Sequence, residues 1–237
     1  MHSETLFKIH QHALREFPKE MCGFLTETDF IPVENIAEEP EKGFKIDPTV
    51  YLRHESEIVA ILHSHCNNKP GRRYFDLRTP SLTDIQGQKR TCKKWGIIAV
   101  DRGEVSSILW IPRDRTTPLF SRPFVPYVFD CLTFVQDYHF QAGNPFPEYP
   151  DDVTDWTNQD PQFKRFEPYL DYPGFEHITS LNDLQNGDVF VLDYRGRKCS
   201  HIGVFHEGQL WHQDTLAQKS PVNDFFGQIV KVMRYVG

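Results

Sequence analysis

A chain of 237 residues, 39% hydrophobic and 25% charged, can bury a core, and at roughly 100 to 200 residues per domain it holds one large domain or two compact ones. Its net charge of -7, from 33 acidic against 26 basic residues, builds no cationic field and so argues against nucleic acid or anionic lipid as partner. No apolar run approaches the ~20 residues of a membrane span, the start Met1-His2-Ser3-Glu4-Thr5 lacks the order of a secretion signal, and the five cysteines read as free thiols of a protein made in the cytoplasm.

Leu6, Phe7, His10, Leu14 and Phe17 recur at helical spacing, which predicts a helix over 4–17 that Pro18 ends. A strand over 22–25 follows, with Glu20 just before it. The apolar run 58–62 reads as a second strand, and it delivers His63-Ser64-His65. Strand side chains alternate between faces, so His63 and His65 project the same way, about 7 Å apart at Cα, and can grip one ion. After a loop rich in Arg and Gly, Pro80-Ser81-Leu82-Thr83-Asp84 opens a stretch to 94 that reads as helix. Asp84 in its first turn would supply an oxygen ligand and leave a fourth position open, as catalytic zinc requires. The same Ser81-x-x-Asp84 spacing is also close to that of a helix capping box.

Residues 96–100 and 105–111 read as two strands around a polar turn. The apolar pattern then stops, and Pro112, Pro118, Pro123 and Pro126 deny helix and central strand alike. A linker over 114–126 is therefore expected between domains at 1–113 and 127–237.

In the second half, Cys131, Phe134, Val135 and Tyr138 form a helical stripe with Asp130 as N-cap. Cys131 then sits in the first turn, where unpaired N–H groups favour a thiolate. An irregular zone over 143–174, with a short helix around 160–170, reads as an insertion. A strand over 189–192 precedes a hairpin signal around Glu207-Gly208. A two-residue turn there pairs His206 with Gln209, Gly203 with His212 and His201 with Asp214, so that His201, Gly203, Phe205, Leu210, His212 and Asp214 share a face. His201 is then placed to take the proton of Cys131, oriented by the diagonal His212 or by Asp214 opposite it. His206 falls on the other face.

Glu20, His63-Ser64-His65 and Ser81-Leu82-Thr83-Asp84, with the flanking stretch 18–25, resemble the JAMM metallopeptidase pattern of Glu, His-x-His and Ser-x-x-Asp. The resemblance implies an α/β, cytidine-deaminase-like domain with zinc (Zn2+) on His63, His65 and Asp84. It makes Glu20 the general base and gives Ser81 a share in holding the oxyanion. Cys66, where that pattern usually has proline, places a further soft ligand beside the site. Asp130-Cys131-Leu132-Thr133 and His201-Ile202-Gly203-Val204-Phe205, followed by Gly208 to His212, resemble the NlpC family of papain-like cysteine peptidases, which cut peptidoglycan stem peptides. Leu132-Thr133 stand where Ser-Gly is common. The fold class expected is α+β in two domains.

The two domains in one short chain resemble tail-tip assembly proteins of lambda-like siphophages. This implies other phage tail tip proteins as partners, peptidoglycan as substrate, and a path from the host cytoplasm to the virion tail tip. The expected function is a peptidase cutting stem-peptide amides through Cys131, with a zinc site that processes a tail protein. The rival is a structural tail-tip adaptor with one or both sites inactive.

Overall fold

Two separate sheets, each with its own hydrophobic cluster, divide the chain into units at Met1–Arg113 and Asp114–Gly237. The computed structural model describes residues 2–67, 77–144, 146, 160 and 162–236. The class is α+β, and among the described residues no helix is long and apolar enough to cross a membrane.

The first unit runs α1 (Ser3–Glu16), β1 (Cys22–Leu25), β2 (Phe30–Val33), α2 (Pro48–His54), β3 (Ala60–Cys66), α3 (Leu82–Thr91), β4 (Lys94–Asp101), β5 (Glu104–Val105) and β6 (Leu109–Ile111). The sheet order is β2-β1-β3-β4-β5, with β6 also on β4, and β3 and β4 are parallel. A parallel pair needs a crossover, and α3 supplies it. Every residue of β3 is buried, which is why its apolar run does not alternate with polar positions. Leu62 and Cys66 join Ile9 and Ala13 of α1 in one cluster, so the intervening odd positions, His63 and His65, face the other way. On that side α3 lies close against β4: a Cβ on Gly87 would meet the Trp95 ring at 2.4 Å. This close approach brings the first turn of α3, and with it Asp84, up to the histidines.

The expected strand over 105–111 is broken into β5 and β6. Ser106 causes the break, because its Oγ accepts from the Ala99 N–H at 2.9 Å and donates to the Ser107 carbonyl at 2.8 Å, a side chain doing the work of a strand backbone.

The second unit contains α4 (Cys131–Gln141) and strands β7 (Phe175–His177), β8 (Val189–Tyr194), β9 (Arg197–His206), β10 (Gln209–Gln213), β11 (Ala217–Pro221) and β12 (Ile229–Tyr235). They form an antiparallel sheet in the order β11-β10-β9-β8-β12-β7. Cys131, Leu132, Phe134 and Val135 of α4 pack with Val189, Val191, Ile202 and Val204, while Phe190, Leu192, Leu210 and Phe225 form a second cluster. Glu207 and Gly208 have φ of 48° and 79°, the positive pair of a type I′ turn, which sets the β9–β10 register. His206 pairs with Gln209 and Gly203 with His212, as the turn predicts.

The expected linker, 114–126, is instead part of the second unit. Leu119 enters the α4 core, and Pro123 bridges to Leu216. Arg122 Nη1 and Arg115 Nε reach the fully buried Asp137 of α4 at 2.6 and 3.1 Å. Proline density here marks an irregular strap tied down by side chains, since proline removes backbone donors but not packing. The helix expected over 160–170 is a single 3-10 turn at Glu167–Tyr169, with Phe166 and Tyr169 in the core. The rest of that insertion (145, 147–159 and 161) and the loop over 68–76 lie outside the described residues.

Candidate functional site

Three elements converge in the first unit. His63 and His65 project from one face of β3, and Asp84 comes from the first turn of α3. The Nε2 atoms of the histidines lie 3.1 Å apart, with Asp84 Oδ1 3.1 Å from His63 and Oδ2 3.3 Å from His65. One ligand atom from each lies within 4.8 Å of the other two, and all three residues are buried. Donors about 2.0 to 2.1 Å from a tetrahedral zinc ion are ~3.3 to 3.4 Å from one another, close to the 3.1 Å between the two Nε2 atoms, while Asp84 meets each histidine with a different oxygen. The second shell fits too, because His65 Nδ1 is directed at the Leu77 carbonyl at 2.8 Å, which turns Nε2 toward the cluster. Phe44 stacks on the His63 ring at 4.4 Å.

Burial alone would raise the Asp84 carboxyl, but the two histidines outweigh it and hold it far below the usual carboxylate range. Burial disfavours the His65 imidazolium, and Asp84 with help from Glu20 reverses that, so its pKa is raised. Glu20, His65, Ser81 and Asp84 line one cavity of about 630 Å³. Ser81 completes a full capping box: its Oγ accepts from the Asp84 N–H at 3.1 Å and its backbone N–H donates to Asp84 Oδ2 at 2.7 Å, while the hydroxyl also donates to that oxygen at 2.7 Å. The Ser81-x-x-Asp84 spacing is therefore that of a cap, in which Ser81 also fixes the carboxylate that faces the two histidines. Cys66 does not join the cluster. Its thiol donates to the Lys19 carbonyl at 3.2 Å and packs with α1.

In the second unit Asp130 caps α4 as expected. Its Oδ1 accepts from the Thr133 N–H at 2.8 Å, and Thr133 Oγ1 accepts from the Asp130 N–H at 2.7 Å, which gives Thr133 a structural task at this position. Cys131 opens the helix and is 1% exposed. Burial pushes its thiol far above the ordinary range and Asp130 adds to this, against a smaller pull from the Ile202 backbone.

Cys131 and His201 line one cavity of about 300 Å³. His201 Nε2 lies 2.9 Å from His212 Nδ1, and His212 Nε2 lies 3.2 Å from Ser220 Oγ on β11. With the Nε2 protons donated along this row, His201 keeps Nδ1 as its basic nitrogen. Burial drives His201 well below an ordinary imidazole, with His212 and Arg195 pushing the same way, and burial lowers His212 to about 4. Asp214 is turned to other partners. It accepts from Tyr194 Oη at 3.2 Å and Arg195 Nη2 at 2.5 Å. His206 lies on the other face, with Nδ1 2.7 Å from Tyr138 Oη. Sequence reasoning missed Ser220, because nothing local sets where β11 falls against β10.

Residues 2–111 match the family model of prokaryotic homologs of the JAB domain. The chain is 29% identical over 247 residues to the tail tip assembly protein K of Escherichia phage N15, covering 99% of this chain and 96% of that protein. It is 24% identical over 159 residues to the tail tip assembly protein K of Escherichia phage lambda, covering 67% of this chain and 70% of that protein. A solution structure of a Desulfitobacterium hafniense protein covers 46% of this chain and 79% of its own length, at 21% identity and a TM-score of 0.32. The chain thus joins a JAB-like domain, residues 2–111, to a sheet-rich C-terminal unit.

Proposed function

We propose that this chain is a phage tail-tip hydrolase with two centres, a cysteine peptidase of NlpC type that cuts peptidoglycan stem-peptide amides through Cys131 and a JAMM-type zinc centre that processes a tail protein. The likeness to the N15 protein over 99% of the chain supports work among other tail-tip proteins, in the host cytoplasm during assembly and then in the virion.

The row His201, His212 and Ser220, ending in the cavity that Cys131 lines, carries the reading. As the sulfur of Cys131 attacks the amide carbon, His201 Nδ1 takes the thiol proton, and the hydrogen bond to His212 holds the ring in place. That proton passes to the departing amine as the C–N bond breaks. Water then hydrolyses the thioester and restores the thiol. Because burial keeps both Cys131 and His201 neutral at rest, the proton moves only with the attack.

In the first unit His63, His65 and Asp84 would hold zinc, with Ser81 fixing the carboxylate. Zinc supplies Lewis-acid polarisation of water and of the peptide carbonyl. Glu20, on the wall of the same cavity, takes the proton of the attacking water and delivers it to the leaving amine. The oxyanion role requires Ser81 to turn its hydroxyl away from Asp84.

Digestion of purified peptidoglycan by the wild type, Cys131→Ala and His63→Ala, with fragments identified by mass spectrometry and zinc by elemental analysis, tests both centres. Cys131→Ala should lower fragment release by about 10⁴-fold and keep its zinc, whereas His63→Ala should lose zinc and keep cutting. The 1% exposure of Cys131 is what favours the structural adaptor, and no fragments from any folded protein would establish that reading instead.

A further inference from the structure

Gln213, the last residue of β10, holds a polar atom that the fold does not use. Trp211 packs with the α4 cluster and Leu210 with the other, so by strand alternation Gln213 faces the same side as Trp211. It is 0% exposed. Its Nε2 donates to the Arg122 carbonyl at 3.4 Å and to the Pro123 carbonyl at 3.0 Å, which commits both amide protons to the strap over 114–126. These contacts fix the orientation, because the amide turned over would set Oε1 against two carbonyl oxygens. No described group donates to Oε1. A buried acceptor without a donor destabilises the fold, and a ligand that brings the donor removes that cost.

Gln213 lines the same cavity of about 300 Å³ as Cys131 and His201, and Phe124 of the strap lines it too. Arg165, Arg195 and Arg197 stand around that cavity against the acid Asp214, a balance that disfavours a cationic donor. A neutral donor suits it, and a peptide carries one as the N–H of each amide. We propose that Gln213 Oε1 accepts an amide N–H of the substrate beside the bond attacked by Cys131. Tied to the strap on one side and to the peptide on the other, Gln213 sets the register in which the amides lie over the thiol. This rests on the cysteine-peptidase reading and adds to it a residue that selects the bond.

Calorimetry on the full chain carrying Cys131→Ala separates binding from cutting. The probes are alanyl-γ-glutamyl-lysyl-alanine and its analogues in which one amide at a time is an ester, so that a single N–H is replaced by oxygen. One ester should bind about tenfold more weakly than the parent, because it leaves Oε1 buried without a donor. Adding Gln213→Met, which keeps the length of the side chain and removes the acceptor, should bring that ester and the parent within about twofold. Gln213→Glu, which keeps an acceptor oxygen, should retain part of the gap. Equal affinities for all the peptides, a gap that survives Gln213→Met, or no binding of any peptide by folded protein would each overturn the proposal; the first and last need no variant at 213. A gap that depends on Gln213, without cleavage of the parent by the wild type, would keep the contact and remove the peptidase reading. Cleavage of the parent with no ester weakened would do the reverse.

Discussion

In the first unit Asp84 is held far below the usual carboxylate range, because His63 and His65 outweigh the burial that would raise it, whereas in the second unit burial keeps the Cys131 thiol and the His201 imidazole both neutral. Both sites are buried and both contain a pair of histidines. The difference lies in how many charges the site brings together. The imidazoles of His63 and His65 stand around the Asp84 carboxyl and outweigh its desolvation, while at the Cys131 thiol desolvation and the Asp130 charge outweigh the pull of the Ile202 backbone. One site holds a charge at rest, and the other keeps its thiol and imidazole neutral.

The sharpest way to break this comparison is to strand a charge in the second unit. Asp137→Ala leaves Arg122, at 2% exposure, without its carboxylate and should cost about 3 to 5 kcal/mol in equilibrium unfolding of that unit. The zinc content of the chain should not change. If unfolding shifts by less than 1 kcal/mol, the strap over 114–126 is not tied down as described.

Acid should act next, through histidines that are buried neutral. Burial lowers His139 and His212 to about 4 from an ordinary 6.5, and His201 falls in the same direction. A histidine lowered by folding takes up its proton more readily in the unfolded chain. Its stability is therefore complete above pH 6.5 and drains as pH falls toward 4, by up to ~3 kcal/mol each for His139 and His212. Denaturant unfolding of the second unit at pH 7.5, 5.5 and 4 measures the loss, and a flat profile would mean these rings are not desolvated.

The smallest effect sharpens the other side. Ser81→Ala removes the cap of α3 and the hydroxyl bound to Asp84, so the first unit should lose about 1 kcal/mol. Zinc affinity, read by chelator competition, should fall about tenfold or more. Unchanged affinity would separate the cap from the ligand function.

Several features of both sites were legible because they are short-range. His63 and His65 share a face by the two-residue period of a strand, Ser81 and Asp84 meet by the three-residue reach of a helix cap, and Glu207-Gly208 sets the pairing of Gly203 with His212. Which of His212 and Asp214 hydrogen-bonds His201 was not legible. It turned on Tyr194 and Arg195, one strand away, which draw the Asp214 carboxylate off. The strap over 114–126 misled because proline density reports a lack of regular backbone and says nothing of Leu119 or Arg122 packing against α4.

By itself the sequence determined the two clusters of chemistry, their order along the chain, and the helices and strands that present them, since each depends on spacings of two to four residues that backbone geometry translates directly. Only the tertiary structure decided that Cys66 turns to α1 rather than to the His63, His65 and Asp84 cluster, and that Ser220 ends the histidine row. Those outcomes depend on which faces are buried and which distant strands pair. Burial and long-range pairing are properties of the whole packed unit, and no local spacing encodes them.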